Sequence, residues 1–192
     1  MESIIESSYV FFFDWEYDLL KWFQSIHNSL LDFIVPKITF LGDAGWFWIA
    51  VTLLLLIIPS KRKIGCQAAV ALILTALVCN VILKPSIMRA RPCWIESEIE
   101  LLVKIPKDYS FPSGHSNASF AVATSIFMRN KKLGIPAIIL AAAIALSRLY
   151  VFVHWPTDVL AGIAIGVCGG IISYFIVNFL YKKFDKKIDV VG

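Results

Sequence analysis

The chain has 192 residues, of which 58% are hydrophobic and 17% charged, and it carries a net charge of +4. A soluble domain holds about 45–50% apolar and about 25% charged residues, so a large soluble core is excluded in favour of a membrane protein. The basic residues stand in short clusters between apolar blocks, which marks membrane orientation and not a nucleic-acid face.

In chain order, Met1-Glu2-Ser3 puts no basic region ahead of the apolar run Tyr9 to Phe13, so no cleavable signal peptide is expected. Tyr9, Phe11, Phe12, Phe13 and Trp15 read as an interfacial aromatic belt. Leu19, Trp22, Phe23, Ile26, Leu30, Phe33 and Ile34 recur at helical spacing, with Glu16, Asp18, Lys21, Gln24, His27, Asn28 and Asp32 between them. That segment is either an amphipathic helix in the interface or a span with its polar face turned inward, and the reading favours a span. Five apolar blocks follow, at about 43–59, 64–84, 114–129, 133–151 and 157–180; a helix needs ~20 residues to cross a bilayer, and the first and third of these blocks are shorter than that, which tilt or burial of one end accommodates.

The expected fold class is therefore all-α, an integral-membrane helical bundle of six transmembrane helices: five strong spans plus the amphipathic N-terminal segment. Residues 1–192 form a single domain. Within it, 1–42 are interfacial or a first span, 85–112 an outer-face loop, and 182–192 a cytoplasmic tail. Glu96, Glu98 and Glu100 among Ile95, Ile99, Leu101 and Leu102 suggest a short amphipathic helix inside that loop. Cys66, Cys79, Cys93 and Cys168 form no CxxC pair, so neither a zinc site nor a disulfide framework is expected.

Orientation follows from the positive clusters. Lys61-Arg62-Lys63, then Arg129, Lys131 and Lys132, then Lys182, Lys183, Lys186 and Lys187 all fall on one side in a six-span chain, and that side is the cytoplasm.

On the opposite side four polar stretches converge. Lys84, Arg89 and Arg91 follow one block, and Ser113, Gly114 and His115 open the next. Ser147 and Arg148 close the fourth of these blocks, and His154 and Asp158 open the last. Three cations, Lys84, Arg91 and Arg148, repel one another unless an anion lies between them, and guanidinium groups grip phosphate oxygens in a bidentate fork. Pro112-Ser113-Gly114 suits the start of a helix, where backbone N–H groups bind anions. His154 and Asp158 are four apart, so a carboxylate can fix the tautomer of a nucleophilic imidazole. Two histidines allow one to attack phosphorus and the other to protonate the leaving oxygen. Arg89 reads as a snorkelling surface residue ahead of one lining the pocket rim, His27 as a helix-face or interfacial histidine, and the three glutamates as a solvated face ahead of a role in head-group selection.

These residues resemble the type 2 phosphatidic acid phosphatase superfamily, which contains membrane lipid phosphatases. Its three motifs stand here as Lys84-Pro85-Ser86-Ile87-Met88-Arg89-Ala90-Arg91-Pro92, as Pro112-Ser113-Gly114-His115, and as Ser147-Arg148 followed by His154 and Asp158. The resemblance implies His154 as the nucleophile that forms phosphohistidine, Asp158 as its orienting group and His115 as the acid, then the base. It implies Lys84, Arg91, Arg148, Ser113 and the Gly114 N–H as the phosphate cradle, with no cofactor and no metal ion. The expected partners are a lipid phosphate and membrane lipids, with no nucleic acid; the sequence leaves the oligomeric state open. The expected location is the plasma membrane, with the site on its outer face.

Soluble relatives in the superfamily bind vanadate in the same cradle, so vanadate is expected to inhibit. Candidate substrates are phosphatidylglycerol phosphate, phosphatidic acid and undecaprenyl pyrophosphate or its monophosphate. Bacterial undecaprenyl pyrophosphatases of that superfamily often carry Asp where Gly114 stands, which tilts the reading slightly toward a phospholipid monoester, while members with Gly also accept the pyrophosphate. The readings weighed against an enzyme are a transporter and a silent lipid-phosphate binder.

Overall fold

The computed structural model describes residues 5–188. The segment with helical spacing before residue 42 forms two helices, α1 (Asp14–Ser25) and α2 (Ser29–Phe40). The break lies at Asn28, whose side chain accepts from the N–H groups of Leu30 at 3.1 Å and Leu31 at 3.0 Å. Asparagine in that role satisfies donors that a helix start leaves free, so the chain restarts there and does not continue as one span. A 3-10 turn, Asp43–Gly45, leads to α3 (Trp46–Ile57).

A second 3-10 turn, Pro59–Lys61, opens α4 (Arg62–Ala76), which runs on through a π-helical stretch, Leu77–Leu83, to Lys84–Ile87. Met88, at a φ of 48°, stops it. Then come α5 (Pro92–Ile95), a long irregular connection, α6 (Gly114–Arg129), α7 (Lys131–Tyr150) and α8 (Pro156–Ile188). Among the described residues there is no strand, only an isolated bridge between Tyr9 and Arg89.

Three helices are long and apolar enough to cross a membrane: Pro59–Ile87, Lys131–Tyr150 and Pro156–Lys183. Ser29–Phe40 and Asp43–Ile57, bent by 44°, make a fourth if they are one span. The protein is thus an all-α membrane protein, and the expected count of six is not reached. One shortfall is α6, whose 16 residues extend about 24 Å. It lies between α4, α7 and α8, with Ser116, Asn117, Ser119, Thr124 and Ser125 buried. A helix enclosed by protein has no need of an apolar lipid face.

Close helix packing sets the site. A Cβ at Gly162 would lie 2.5 Å from the Ser113 carbonyl oxygen, and one at Gly166 would lie 2.5 Å from that of Asn117. Glycine four residues apart lets α8 run against the backbone of α6, which brings the start of α6 beside Asp158; the Ser113 N–H donates to the Asp158 carbonyl at 3.0 Å.

The N-terminal segment lies at the same end. The Tyr9 N–H donates to the Met88 carbonyl at 2.8 Å, and the Ala90 N–H donates to the Tyr9 carbonyl at 2.9 Å. Phe12 stacks on Trp155 with ring centroids 4.6 Å apart, so part of the expected aromatic belt serves to hold this segment on the protein. The helix expected near Glu96–Leu102 does not form; α5 precedes it, and Ile99, Leu101 and Leu102 pack against the Leu149–Val153 core instead.

Candidate active site

Lys84, Arg91, Gly114, His115, Arg148 and His154 line one cavity of ≈ 620 Å³. They come from the end of α4, the loop before α5, the start of α6, the end of α7 and the α7–α8 turn. The turn carries Phe152 at a φ of 57°, a left-handed conformation that a non-glycine residue adopts at a cost of about 1–2 kcal/mol. The fold spends that energy where the chain reverses to present His154.

His154 is buried, at 1% exposure. Its Nδ1 lies 3.5 Å from Oδ2 of Asp158 and 3.4 Å from Oγ of Ser110. Ser110 also donates to Asp158 Oδ2 at 2.5 Å, and the Trp155 N–H donates to the same oxygen at 2.9 Å. The carboxylate is thus fixed at the Nδ1 edge of the ring, while Nε2 lies 3.1 Å from Arg91 Nη1, and both residues line the cavity. Burial pushes the His154 imidazole well below its ordinary value, and the charges of Arg91, Arg148 and Lys84 push the same way. A neutral ring keeps a free lone pair for attack.

The three cations are held differently. Arg91 donates through Nε to the Asp108 carbonyl at 2.6 Å and through Nη1 to the Val153 carbonyl at 2.7 Å. Arg148 donates through Nη1 to Thr39 Oγ1 at 2.5 Å. Among the described residues, its buried Nε has no hydrogen-bond partner. A buried donor left unpaired costs about 1–3 kcal/mol, and the same residue lines the cavity. Lys84 pairs with the carboxylate of Asp108, which also takes Arg91 Nη2 at 2.8 Å. Burial opposes ionisation of Asp108, but Arg91 and Lys84 outweigh it and hold the carboxyl well below its ordinary range.

His115 sits across the cavity, with Nε2 2.8 Å from Asp43 Oδ1. Gly42 stands beside it: a Cβ there would lie 2.4 Å from the imidazole Cδ2, so only glycine leaves the ring its place. Above Gly114 a Cβ would meet nothing within 4 Å; that space belongs to the cavity. Two expected residues are set back. Ser113 caps α6, its Oγ accepting from the Ser116 hydroxyl at 3.0 Å and the Ser116 N–H at 3.4 Å, and Asp158 lies behind His154.

Arg89 is the main correction. It is no surface residue but 1% exposed, and it joins two carboxylates. Nη1 donates to Asp158 Oδ1 at 2.6 Å, and Nη2 donates to Glu16 Oε2 at 2.8 Å. Glu16, also buried, takes the N–H and hydroxyl of Thr157 at 3.0 and 2.6 Å. The sequence reading missed Glu16, Thr39, Asp43, Asp108 and Ser110. Two of these, Asp108 and Ser110, stand within five residues of Ser113, where a charged and a hydroxyl residue so near a helix start were a usable signal. His27 stays outside the site: it stacks on Tyr150 with centroids 4.1 Å apart and pairs with Asp32 at 3.1 Å. Glu96 accepts from the Tyr17 hydroxyl at 2.6 Å, away from the cavity.

Beyond the charged head, the cavity runs between α3 and α4. Ile49, Leu53, Leu56, Leu72, Ile73 and Ala76 line it there. A ligand with a phosphate at one end and a hydrocarbon chain at the other matches this division.

The family model of the PAP2 superfamily matches residues 64–182. An undecaprenyl-diphosphatase of Sulfolobus acidocaldarius is 35% identical over 75% of this chain and 71% of its own length. A lipid A 4'-phosphatase of Bacteroides thetaiotaomicron is 30% identical over 95% of this chain and 85% of its own. Among solved structures, that of Aquifex aeolicus LpxE superposes with a TM-score of 0.73 at 27% identity, covering 84% of this chain and 95% of the other.

Proposed function

The chain belongs to the PAP2 superfamily, and on that premise we propose that it is a membrane lipid phosphatase working through a phosphohistidine on His154. One observation carries the reading: His154 and three cations face the polar end of a cavity whose other end is apolar, with Arg148 Nε unpaired.

In the first step the Nε2 lone pair of His154 attacks phosphorus. An N–P bond forms, the bond from phosphorus to the lipid oxygen breaks, and His115 gives that oxygen its proton. Asp158 and Ser110 hold the ring of His154 through its Nδ1 side, and Asp43 holds the ring of His115 through Nε2. Lys84, Arg91, Arg148 and the Gly114 N–H bear the charge that spreads over the equatorial oxygens. Ser113 contributes by capping α6, and so by orienting that N–H. In the second step His115 takes a proton from water, the oxygen attacks phosphorus, and inorganic phosphate leaves His154. The reading needs no metal: cations of the protein supply the positive charge, and Asp108 and Asp158 are both already engaged by arginine.

The substrate is a phospholipid monoester of the phosphatidylglycerol phosphate or phosphatidic acid type. Undecaprenyl pyrophosphate is the second reading, favoured by the name of the Sulfolobus acidocaldarius relative. The chain is one domain with five spans, α2 and α3 forming one of them. The N-terminal segment lies on the site's side of the membrane, the 85–112 loop covers the site, and the basic ends face the cytoplasm. Its packing on Met88 and Ala90 supports this over a sixth span.

The test is phosphate release in detergent from phosphatidylglycerol phosphate, phosphatidic acid and undecaprenyl pyrophosphate, with excess chelator, beside His154→Ala. Release that resists chelator and disappears in the variant supports the mechanism. Full activity in His154→Ala rules out the nucleophile, and no release from any lipid removes the enzyme reading in favour of a silent binder.

A further inference from the structure

We propose that Asp108 is an internal stand-in for phosphate: its carboxylate occupies Lys84 and Arg91 when the cradle is empty, and phosphate ligands must displace it to bind. The inference rests on the phosphatase reading for the identity of the ligand, and it concerns a residue outside the three motifs.

The geometry is that of a bridging anion. Oδ2 pairs with Lys84 Nζ, and Oδ1 takes Arg91 Nη2 at 2.8 Å. These are two of the cations that a phosphoryl group needs. The carboxylate is not built in as the other acids of the site are. The Asp108 side chain is 55% exposed, whereas those of Asp158 and Glu16 are at 0%. Half in water, it can exchange its partners for solvent at small cost, which a sealed carboxylate cannot.

Nor does Arg91 need that carboxylate to keep its place. Its Nε and Nη1 are fixed by the carbonyls of Asp108 and Val153, and Nη2 also reaches the Tyr109 carbonyl at 3.3 Å. The displaced side chain has somewhere to go. A second hollow of ≈ 410 Å³ shares Asn80, Lys84 and Asp108 with the main cavity and is lined by Lys107. An Asp108 turned that way meets Lys107 as well as Lys84, so Lys84 is shared and Arg91 is opened to the ligand. In reverse, the returning carboxylate replaces product phosphate on the same two cations, which makes Asp108 a determinant of both substrate affinity and product release.

The sign of the effect separates this role from a structural one. The apparent affinity of a ligand falls by the fraction of molecules whose site is open, so a carboxylate in place nine times in ten weakens phosphate about tenfold. Removing it should tighten binding; removing a mere support for Arg91 should weaken it. The test is the binding of inorganic phosphate to the purified full chain by calorimetry, and inhibition by phosphate and orthovanadate, in the wild type, Asp108→Asn and Asp108→Ser. The expected result is phosphate bound about tenfold more tightly by both variants, with a lower KM and no gain in kcat. Asp108→Glu, which keeps a charge in reach, should bind within about threefold of the wild type. Unchanged or weaker phosphate binding in whichever of the Asn and Ser variants folds, as judged by Tm, overturns the proposal. Calorimetry needs no turnover, so a wild type that binds phosphate but hydrolyses no lipid fails the enzyme reading and leaves the role of Asp108 to be decided by the same two constants.

Discussion

Replacing Arg89 with methionine removes the cation that joins Glu16 to Asp158 while keeping an apolar stem against Phe11 and Trp155, whose ring centroids lie 4.9 and 5.3 Å from the guanidinium carbon. Both carboxylates are fully buried. Breaking a buried ion pair by removing one partner costs about 3–5 kcal/mol. The lower end applies here, because Glu16 keeps the Phe13 N–H and Thr157, and Asp158 keeps Ser110 and the Trp155 N–H. Glu16→Gln alone leaves Arg89 on Asp158 and should cost about 1–2 kcal/mol, as for a weakened hydrogen bond to a charged group. In the double variant one of the two stranded charges is gone, so its total loss should not exceed the ~3 kcal/mol of Arg89→Met. The coupling energy is then at least ~1 kcal/mol, within the range seen for residues in one network. Denaturant or thermal unfolding of the four proteins in one detergent measures it. Additivity within ~0.5 kcal/mol would refute the shared-cation account and reduce Arg89 to two unrelated contacts.

Two further outcomes follow from the same geometry. Ala76→Trp fills the apolar end of the cavity, so it should slow lipid hydrolysis about tenfold or more while sparing a short, soluble phosphate ester, since burying a chain of several methylenes is worth about 0.8 kcal/mol for each; equal losses on both substrates would show that the groove does not take the chain. His154 should stay neutral below its unfolded value of about 6.5, because its folded-state pKa is lowered. Stability should therefore be full above about 6.5 and fall with acid between that value and the folded one, where the unfolded chain binds the extra proton. Ring ¹⁵N NMR of labelled protein reads the titration directly, and a His154 midpoint at 6.5 or above would contradict a buried, cation-flanked ring.

The motif residues were legible because each stretch carries its own signal. Ser113 marks a helix start, His154 and Asp158 share one helical turn's spacing, and Lys84, Arg91 and Arg148 are charges beside apolar blocks. Their partners were not legible, because those contacts are set by packing and not by spacing. Glu16 and Asp158 are joined through Arg89, and no periodicity links residues 16, 89 and 158. An arginine beside an apolar block ordinarily snorkels, so its burial follows only from the N-terminal segment folding over it. Asn28 shows the opposite case. The cap that splits α1 from α2 was present in the sequence, but the apolar repeat continues across it, and the repeat alone predicts one span. The glycines at 162 and 166, four apart in an apolar helix, were likewise a readable packing face.

If Asp108 stands in for phosphate as proposed, the charges in the cavity give phosphate a reason to displace it. Lys84 and Arg91 share Asp108, while Arg148 donates to the hydroxyl of Thr39 and, among the described residues, keeps Nε without a partner. A carboxylate has two oxygens and is anchored to its own loop, so it satisfies two cations and leaves the third. A phosphoryl group has three non-bridging oxygens and a charge of about −1.5 to −2 near neutral pH, and can meet all three. The advantage of phosphate over the internal anion therefore lies at Arg148.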